Sequence, residues 1–122
     1  MNLDINKLFA VAGKTVVITG GSRGIGEMIA RAYVDNGARV ILSSRKAADV
    51  EGLAASLGDA ATAIAADLSQ MAEIERFAAA VANITPKVDI LFNNAGASWG
   101  AGFDEFPEIG WDKVMDINLK SV

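Results

Sequence analysis

The strongest chemical signal in the chain is the run Thr19-Gly20-Gly21-Ser22-Arg23-Gly24-Ile25-Gly26. It follows a β-branched apolar run and opens a segment of helical period. Glycines at such a junction permit a tight turn and let the backbone approach a pyrophosphate, and the last of them lets the helix pack closely on a sheet. Free N–H groups and the partial positive charge at the helix start suit phosphate oxygens. The spacing, Gly20 to Gly24 to Gly26, differs from the Gly-x-Gly-x-x-Gly fingerprint, and no Gly-Lys-Ser/Thr of a Walker loop follows. The alternative is a glycine-rich turn that binds nothing.

A second cluster, Ser43-Ser44-Arg45-Lys46, ends the next apolar run. NAD sites commonly carry an acid there to hold ribose hydroxyls. Here the small Ser44 leaves room for a 2′-phosphate, Arg45 can grip it with paired charge-assisted hydrogen bonds, and Arg23 adds a second positive charge. This favours NADP(H) over NAD(H). The competing reading makes Arg45 and Lys46 solvated residues opening a helix, although the helix dipole disfavours cations at that end. With no cysteine and no histidine, the chain holds no Cys-His or Ser-His-Asp device, and a zinc site is not expected.

The elements that must position these residues alternate. Lys14–Thr19, Ala38–Ser43, Ala61–Ala66 and Val88–Phe92 read as strands. Between them run helical patterns: Ile25, Met28, Ile29 and Ala32, closed by Asn36-Gly37; Val50, Leu53, Ala54 and Leu57, stopped by Gly58; then Ile74, Phe77, Ala78 and Val81, broken by Pro86. Ser69 is placed to cap the third. A last helix is expected to present Trp111, Val114 and Met115 on one face. Strands separated by helix-length crossovers imply an α/β fold, a doubly wound parallel sheet of about four strands with helices on both faces.

Asp67-Leu68 follows the third strand and Asn93-Asn94-Ala95-Gly96 the fourth, and Asn118 lies in Met115-Asp116-Ile117-Asn118. With the Thr-Gly-x-x-x-Gly-Ile-Gly turn, these four motifs in this order resemble the short-chain dehydrogenase/reductase family, and the likeness covers essentially the whole chain. Within the family, Ser22–Gly26 and Asn94–Gly100 look most like the NADPH-dependent β-ketoacyl reductases, the rhamnolipid type among them. The resemblance implies a Rossmann-type fold. It also implies that Gly20, Ser22, Arg23, Gly24, Ile25 and Gly26 border the cofactor's phosphates and ribose, with Ser44 and Arg45 at the 2′-phosphate. Asp67 would accept from the adenine amino group, Leu68 would contribute backbone, and Asn94, Ala95 and Gly96 would pack beside the nicotinamide ribose. Asp67 could instead cap its own turn. Asn93 is read as tying neighbouring strands together, and Asn94 as the better ligand contact.

In this family a tyrosine gives a proton to the substrate carbonyl, a lysine four residues on tunes it, a serine orients the carbonyl, and an asparagine positions a relay water. Asn118 matches the asparagine, although an asparagine there can also simply kink the helix or hydrogen-bond a neighbouring turn. The only tyrosine, Tyr33, is followed four residues later by Gly37 and reads as packing. The resemblance therefore makes 1–122 the N-terminal, cofactor-binding part of a single Rossmann domain, expected to be inactive alone because the family's catalytic Ser, Tyr and Lys are missing from it. On that view it is a piece of a longer NADP(H)-dependent carbonyl reductase acting on a 3-oxoacyl-thioester-like substrate, and its fourth strand is an exposed edge. The alternative is a non-catalytic dinucleotide-binding sensor or pseudoenzyme. A dimerisation piece completed by another chain is a third reading. Trp99, Phe103, Phe106 and Trp111 border a substrate channel or, by the plainer reading, belong to core or subunit contacts.

Eleven basic against 15 acidic residues give a formal charge of −4, which argues against a nucleic-acid partner. No apolar run is long enough to span a membrane. Met1–Lys7 lacks a basic region followed by an apolar run, so no secretory leader is expected. The expected partners are a small carbonyl or alcohol substrate and, by family resemblance, further copies in a dimer or tetramer; the expected location is the cytoplasm.

Overall fold

The computed structural model describes residues 3–122. Met1 and Asn2, the first residues of the segment read as lacking a leader, lie outside the described residues. After a one-turn helix α1 (Ile5–Leu8), the chain alternates β1 (Thr15–Ile18), α2 (Gly24–Asp35), β2 (Arg39–Ser44), α3 (Ala47–Leu57), β3 (Ala61–Ala65), α4 (Met71–Ile84), β4 (Ile90–Phe92) and α5 (Glu108–Met115). A π-helical turn, Asp116–Lys120, continues α5. All four strands are parallel, in the order β3-β2-β1-β4. The chain thus steps outward from β1 to β3 and then returns to the other side of β1. That reversal opens a crevice at the carboxyl ends of the central strands.

Side chains alternate across the sheet and give two cores. Val16, Ile18, Val40 and Leu42 face α2 and α3, where Ala30, Val50 and Leu53 close the first core. Val17, Ile41 and Ile64 face the other way, against Phe77 and Val81 of α4 and Ile117 of the π-helical turn. Tyr33 packs edge-on to Phe92, with ring centroids 5.4 Å apart, in the packing role read for it. Among the described residues no helix is long and apolar enough to cross a membrane.

Several expectations about which side chains face inward are corrected. On α2, Ile25 and Met28 are each 70% exposed, and Ala32 is exposed too; Gly26 and Ala30 are buried. The helix approaches the sheet so closely that its smallest residues occupy the contact. A Cβ on Gly26 would collide with the Gly20 carbonyl oxygen and would stand 2.8 Å from Asn94 Nδ2. On α5, Trp111 is exposed, Val114 and Met115 are half-buried, and Gly110 and Ile117 face inward. Ala78 of α4 is likewise exposed. Ser69 does not cap α4: Gln70 holds that position without a side-chain bond, and the Ser69 hydroxyl donates to Asp67. Phe103 is fully exposed, and Trp99, Phe106 and Trp111 are exposed enough that none is a core residue.

Candidate functional site

A cleft of about 370 Å³ lies across the carboxyl ends of the strands. Its walls come from the carboxyl end of each strand and the loop that follows: Gly20 and Ser22–Gly24 after β1, Ser43 and Ser44 at the end of β2 with Arg45 beyond it, Ala66–Ser69 after β3 and Asn94–Ala97 after β4. Lys113 and Ile117 close one side.

At Gly20, Gly21 and Gly26 the glycine turn makes contacts that leave no room for a Cβ. Gly20 has φ +64°, and a Cβ there would stand 2.8 Å from the Cα of Ala95. The turn and the loop after β4 are therefore in contact. The Asn94 amide joins them, donating to the carbonyl oxygens of Thr19 and Gly20 at 3.1 Å each. The Thr19 hydroxyl accepts from the backbone N–H groups of Asn94 and Ala95 at 3.1 and 3.0 Å. The tying role read for Asn93 thus belongs to Asn94. Asn93 is exposed and lines a separate apolar groove beside β4 with Leu91, Phe77 and Val81.

The second and first loops also meet. Ser22 Oγ donates to Ser44 Oγ at 3.0 Å, which joins the glycine turn to the end of β2. Arg23, at the N-cap of α2, and Arg45 are exposed and line the cleft. Below them Ser43 is fully buried, and its hydroxyl has no hydrogen-bond partner in the structure. No carboxylate stands at the end of β2, so the cleft floor there carries hydroxyl and guanidinium groups.

Asp67 lines the cleft at the end of β3 and also organises its own turn. Its carboxylate accepts from the Ser69 hydroxyl at 2.7 Å and the Ser69 N–H at 3.1 Å, and from Gln70 Nε2 at 3.4 Å. The Ser69 hydroxyl, the Ser69 backbone N–H, the Gln70 side-chain amide and the nearby Arg45 charge together outweigh desolvation and hold the carboxyl below its ordinary value. Leu68 is buried beside it. Of the residues singled out in the sequence, Gly20, Ser22, Arg23, Gly24, Ser44, Arg45, Asp67, Leu68, Asn94, Ala95 and Gly96 line the cleft, whereas Ile25 and Gly26 do not. Ile25 points to solvent, and Gly26 serves the helix–turn contact.

Asn118 sits in the π-helical turn, outside the cleft wall. Its Nδ2 donates to the Ala97 carbonyl at 2.7 Å, and its Oδ1 accepts from the Ala97 N–H at 3.1 Å. A Cβ on Gly96 would come within 2.9 Å of that Oδ1. The side chain thus pins the loop after β4 to the widened turn of the last helix. Sequence reasoning passed over Lys113; its position four residues before Ile117 is the signal that places both on one helix face. Among the described residues no group of acidic side chains is disposed to hold a metal.

The cleft suits a phosphorylated dinucleotide. Gly24 lines it with φ +57°, a left-handed conformation that favours glycine. Arg23, Arg45 and Lys113 supply positive charge against the single carboxylate of Asp67.

Comparison with known proteins bears on the same residues. Residues 14–122 match the family model for short chain dehydrogenase. The rhamnolipids biosynthesis 3-oxoacyl-[acyl-carrier-protein] reductase of Pseudomonas aeruginosa is 46% identical over 117 residues, covering 93% of this chain and 45% of that protein. A solved Pseudomonas aeruginosa RhlG/NADP active-site complex superposes with a TM-score of 0.87 at 46% identity, covering 93% of this chain and 45% of that one. A 3-ketoacyl-(acyl-carrier-protein) reductase from Brucella melitensis, complexed with NADH, gives a TM-score of 0.85 at 32% identity, covering 92% and 47%. The chain spans about half the length of the relatives it matches. The family resemblance read from the motifs, including its β-ketoacyl reductase leaning, agrees with these matches.

Proposed function

The chain belongs to the short-chain dehydrogenase family, and from that premise we propose that it holds NADP(H) as the N-terminal part of a Rossmann-type carbonyl reductase acting on a 3-oxoacyl thioester. The observation that carries the cofactor assignment is the end of β2. There Ser44, bonded to Ser22, takes the place of an acid, and Arg45 stands beside it on the cleft wall. A carboxylate at that place would repel a 2′-phosphate, whereas a guanidinium pairs with it. The relatives named for 3-oxoacyl reduction, and the one solved with NADP, support the same reading.

The residues divide the work. N–H groups of the Ser22–Gly24 turn and the start of α2 would receive the pyrophosphate, Arg45 and Ser44 the 2′-phosphate, and Asp67 with Leu68 the adenine. Asn94 would act mainly by fixing the glycine turn against the loop after β4, so that Ala95 and Gly96 offer backbone to the nicotinamide ribose. Bound there, the nicotinamide supplies the hydride for carbonyl reduction. Asn118 would hold Ala97 at the cleft's edge through one N–H and one lone pair of its amide, and the second N–H and lone pair leave it capacity for a relay water. The tyrosine–lysine pair that the resemblance implies for proton donation has no counterpart in these 122 residues, so binding without turnover is the expected behaviour of the chain by itself.

Calorimetric titration of the 122-residue chain tests the assignment. NADPH should bind more tightly than NADH. Arg45→Ala should weaken NADPH by about tenfold or more, the scale of one lost hydrogen-bonded charge pair, and leave NADH nearly unchanged. Equal loss for both dinucleotides would remove the 2′-phosphate assignment. Reduction of an acetoacetyl thioester by the purified chain with NADPH would refute the expectation of binding without turnover.

A further inference from the structure

Three cations line the cleft on a chain whose formal charge is −4. Two of them, Arg23 and Arg45, belong to the loops already described. The third, Lys113, comes from α5; it adds to the cleft's positive charge but is assigned no ligand group above.

Its position separates it from Arg45. Arg45 follows β2 and lies close enough to Asp67, after β3, for its charge to act on that carboxyl. Lys113 precedes Ile117 by one helical turn, and Ile117 belongs to the core cluster against which Ala95 and Ala97, after β4, also pack. With the strand order β3-β2-β1-β4, Arg45 therefore stands on one side of the glycine turn and Lys113 on the other. Among the described residues the Lys113 ammonium forms no ion pair. It rests over the Trp99 ring, 5.4 Å from the centroid. Trp99 in turn lies against α5 at Gly110, where a Cβ would come within 2.8 Å of the indole Cγ and Cδ1. The indole is thus a seat that keeps the ammonium at the cleft wall.

A partly exposed cation–π contact is weak, and an ammonium–phosphate hydrogen bond is stronger. We propose that Lys113 is a further binding residue for the dinucleotide, held over Trp99 and transferred to the pyrophosphate oxygens from the side opposite Arg45. The inference rests on the reading of the cleft as an NADP(H) site. It assigns Lys113 to the phosphates that NADPH and NADH share, whereas Arg45 serves only the one they do not.

Titrating wild type, Lys113→Met, Lys113→Arg and Arg45→Ala with NADPH and with NADH separates the possibilities. Lys113→Met should weaken both dinucleotides alike, by about fivefold to tenfold. Lys113→Arg should keep most of the affinity. The penalty of Lys113→Met should shrink at 1 M salt, where the screening length is about 3 Å. The side chain is exposed, so the variant should fold normally, which circular dichroism checks. Unchanged affinity in Lys113→Met, with wild type binding and Arg45→Ala selectively impaired, overturns this inference alone. Loss of NADPH but not NADH in Lys113→Met also overturns it, by moving the contact to the 2′-phosphate. If wild type binds neither dinucleotide, the reading of the cleft falls and Lys113 with it.

Discussion

β2 and β4 flank the same strand and begin from similar apolar material, yet they end in different environments. In β2, Val40-Ile41-Leu42 pairs on both sides, with β1 and β3, Ser43 pairs with β3, and every one of these residues is buried. In β4, Ile90-Leu91-Phe92 pairs only with β1, and Leu91 remains 55% exposed beside an apolar groove. The difference shows that composition makes a strand, while neighbours on both edges and both faces make it core. It also divides the cleft. The half built on β1 and β2 rests on a closed interior, whereas the half built on β4 combines partly buried packing of Ala95 and Ala97 with a few named hydrogen bonds.

Matched truncations give the largest test. Leu42→Ala, at 0% exposure, should cost about 3–4 kcal/mol in urea unfolding, since it removes a leucine from a closed core. Leu91→Ala should cost under about 1 kcal/mol, because most of its surface is already wet. Similar costs for the two would erase the contrast between the strands.

The next effect falls on the link between the halves. Asn94→Ala removes both donations to Thr19 and Gly20 and should destabilise the chain by about 1–2 kcal/mol. Faster amide exchange in the Asn94–Ala97 loop, with β2 unaffected, would sharpen the comparison. A variant as stable as wild type would show that the glycine turn and the β4 loop hold together without that amide.

The smallest effect is a pH dependence at the opposite end of β4. Asp89 accepts from Lys87 at 2.6 Å and from the Thr15 N–H at 2.9 Å, and these two contacts, Lys87 first, hold its carboxyl below its ordinary value. A depressed carboxyl contributes stability that is present above the unfolded-state value of ~3.9 and is lost as pH falls through the lower folded value. Melting temperature should therefore fall as pH drops from 5 toward 2, and Asp89→Asn should flatten that fall. An unchanged profile in the variant would mean that the carboxylate does not tie β4 to β1.

Much of the site was legible because its signals are local. Turn glycines, a serine and arginine where an acid commonly stands, and an aspartate closing β3 are each fixed by a few adjacent residues and a strand end. The expected order of strands and helices stands, with strand ends shifting by one or two residues and β4 shorter, Ile90–Phe92 rather than Val88–Phe92. What escaped depends on approach distances. Periodicity ranks side chains by hydrophobicity and so chose Ile25 and Met28 for the inner face of α2. The contact is decided by size, and Gly26 and Ala30 fit where larger groups collide. Asn93 and Asn94 are indistinguishable in sequence, and only the facing of the chain after β4 gives the bonds to Asn94.

The sequence by itself determined the alternation of elements, the glycine turn after β1 and the absence of an acid after β2, because backbone conformation and residue chemistry act within a few positions. Tertiary structure alone decided that Ser22 reaches Ser44, that the Asn118 amide bonds Ala97 and that Lys113 joins the cleft. Ser22 and Ser44 are 22 positions apart, Asn118 and Ala97 are 21 apart, and Lys113 meets Trp99 across a shorter loop, each brought together by the parallel crossover or the packing of α5 after β4. No local pattern encodes such a distance.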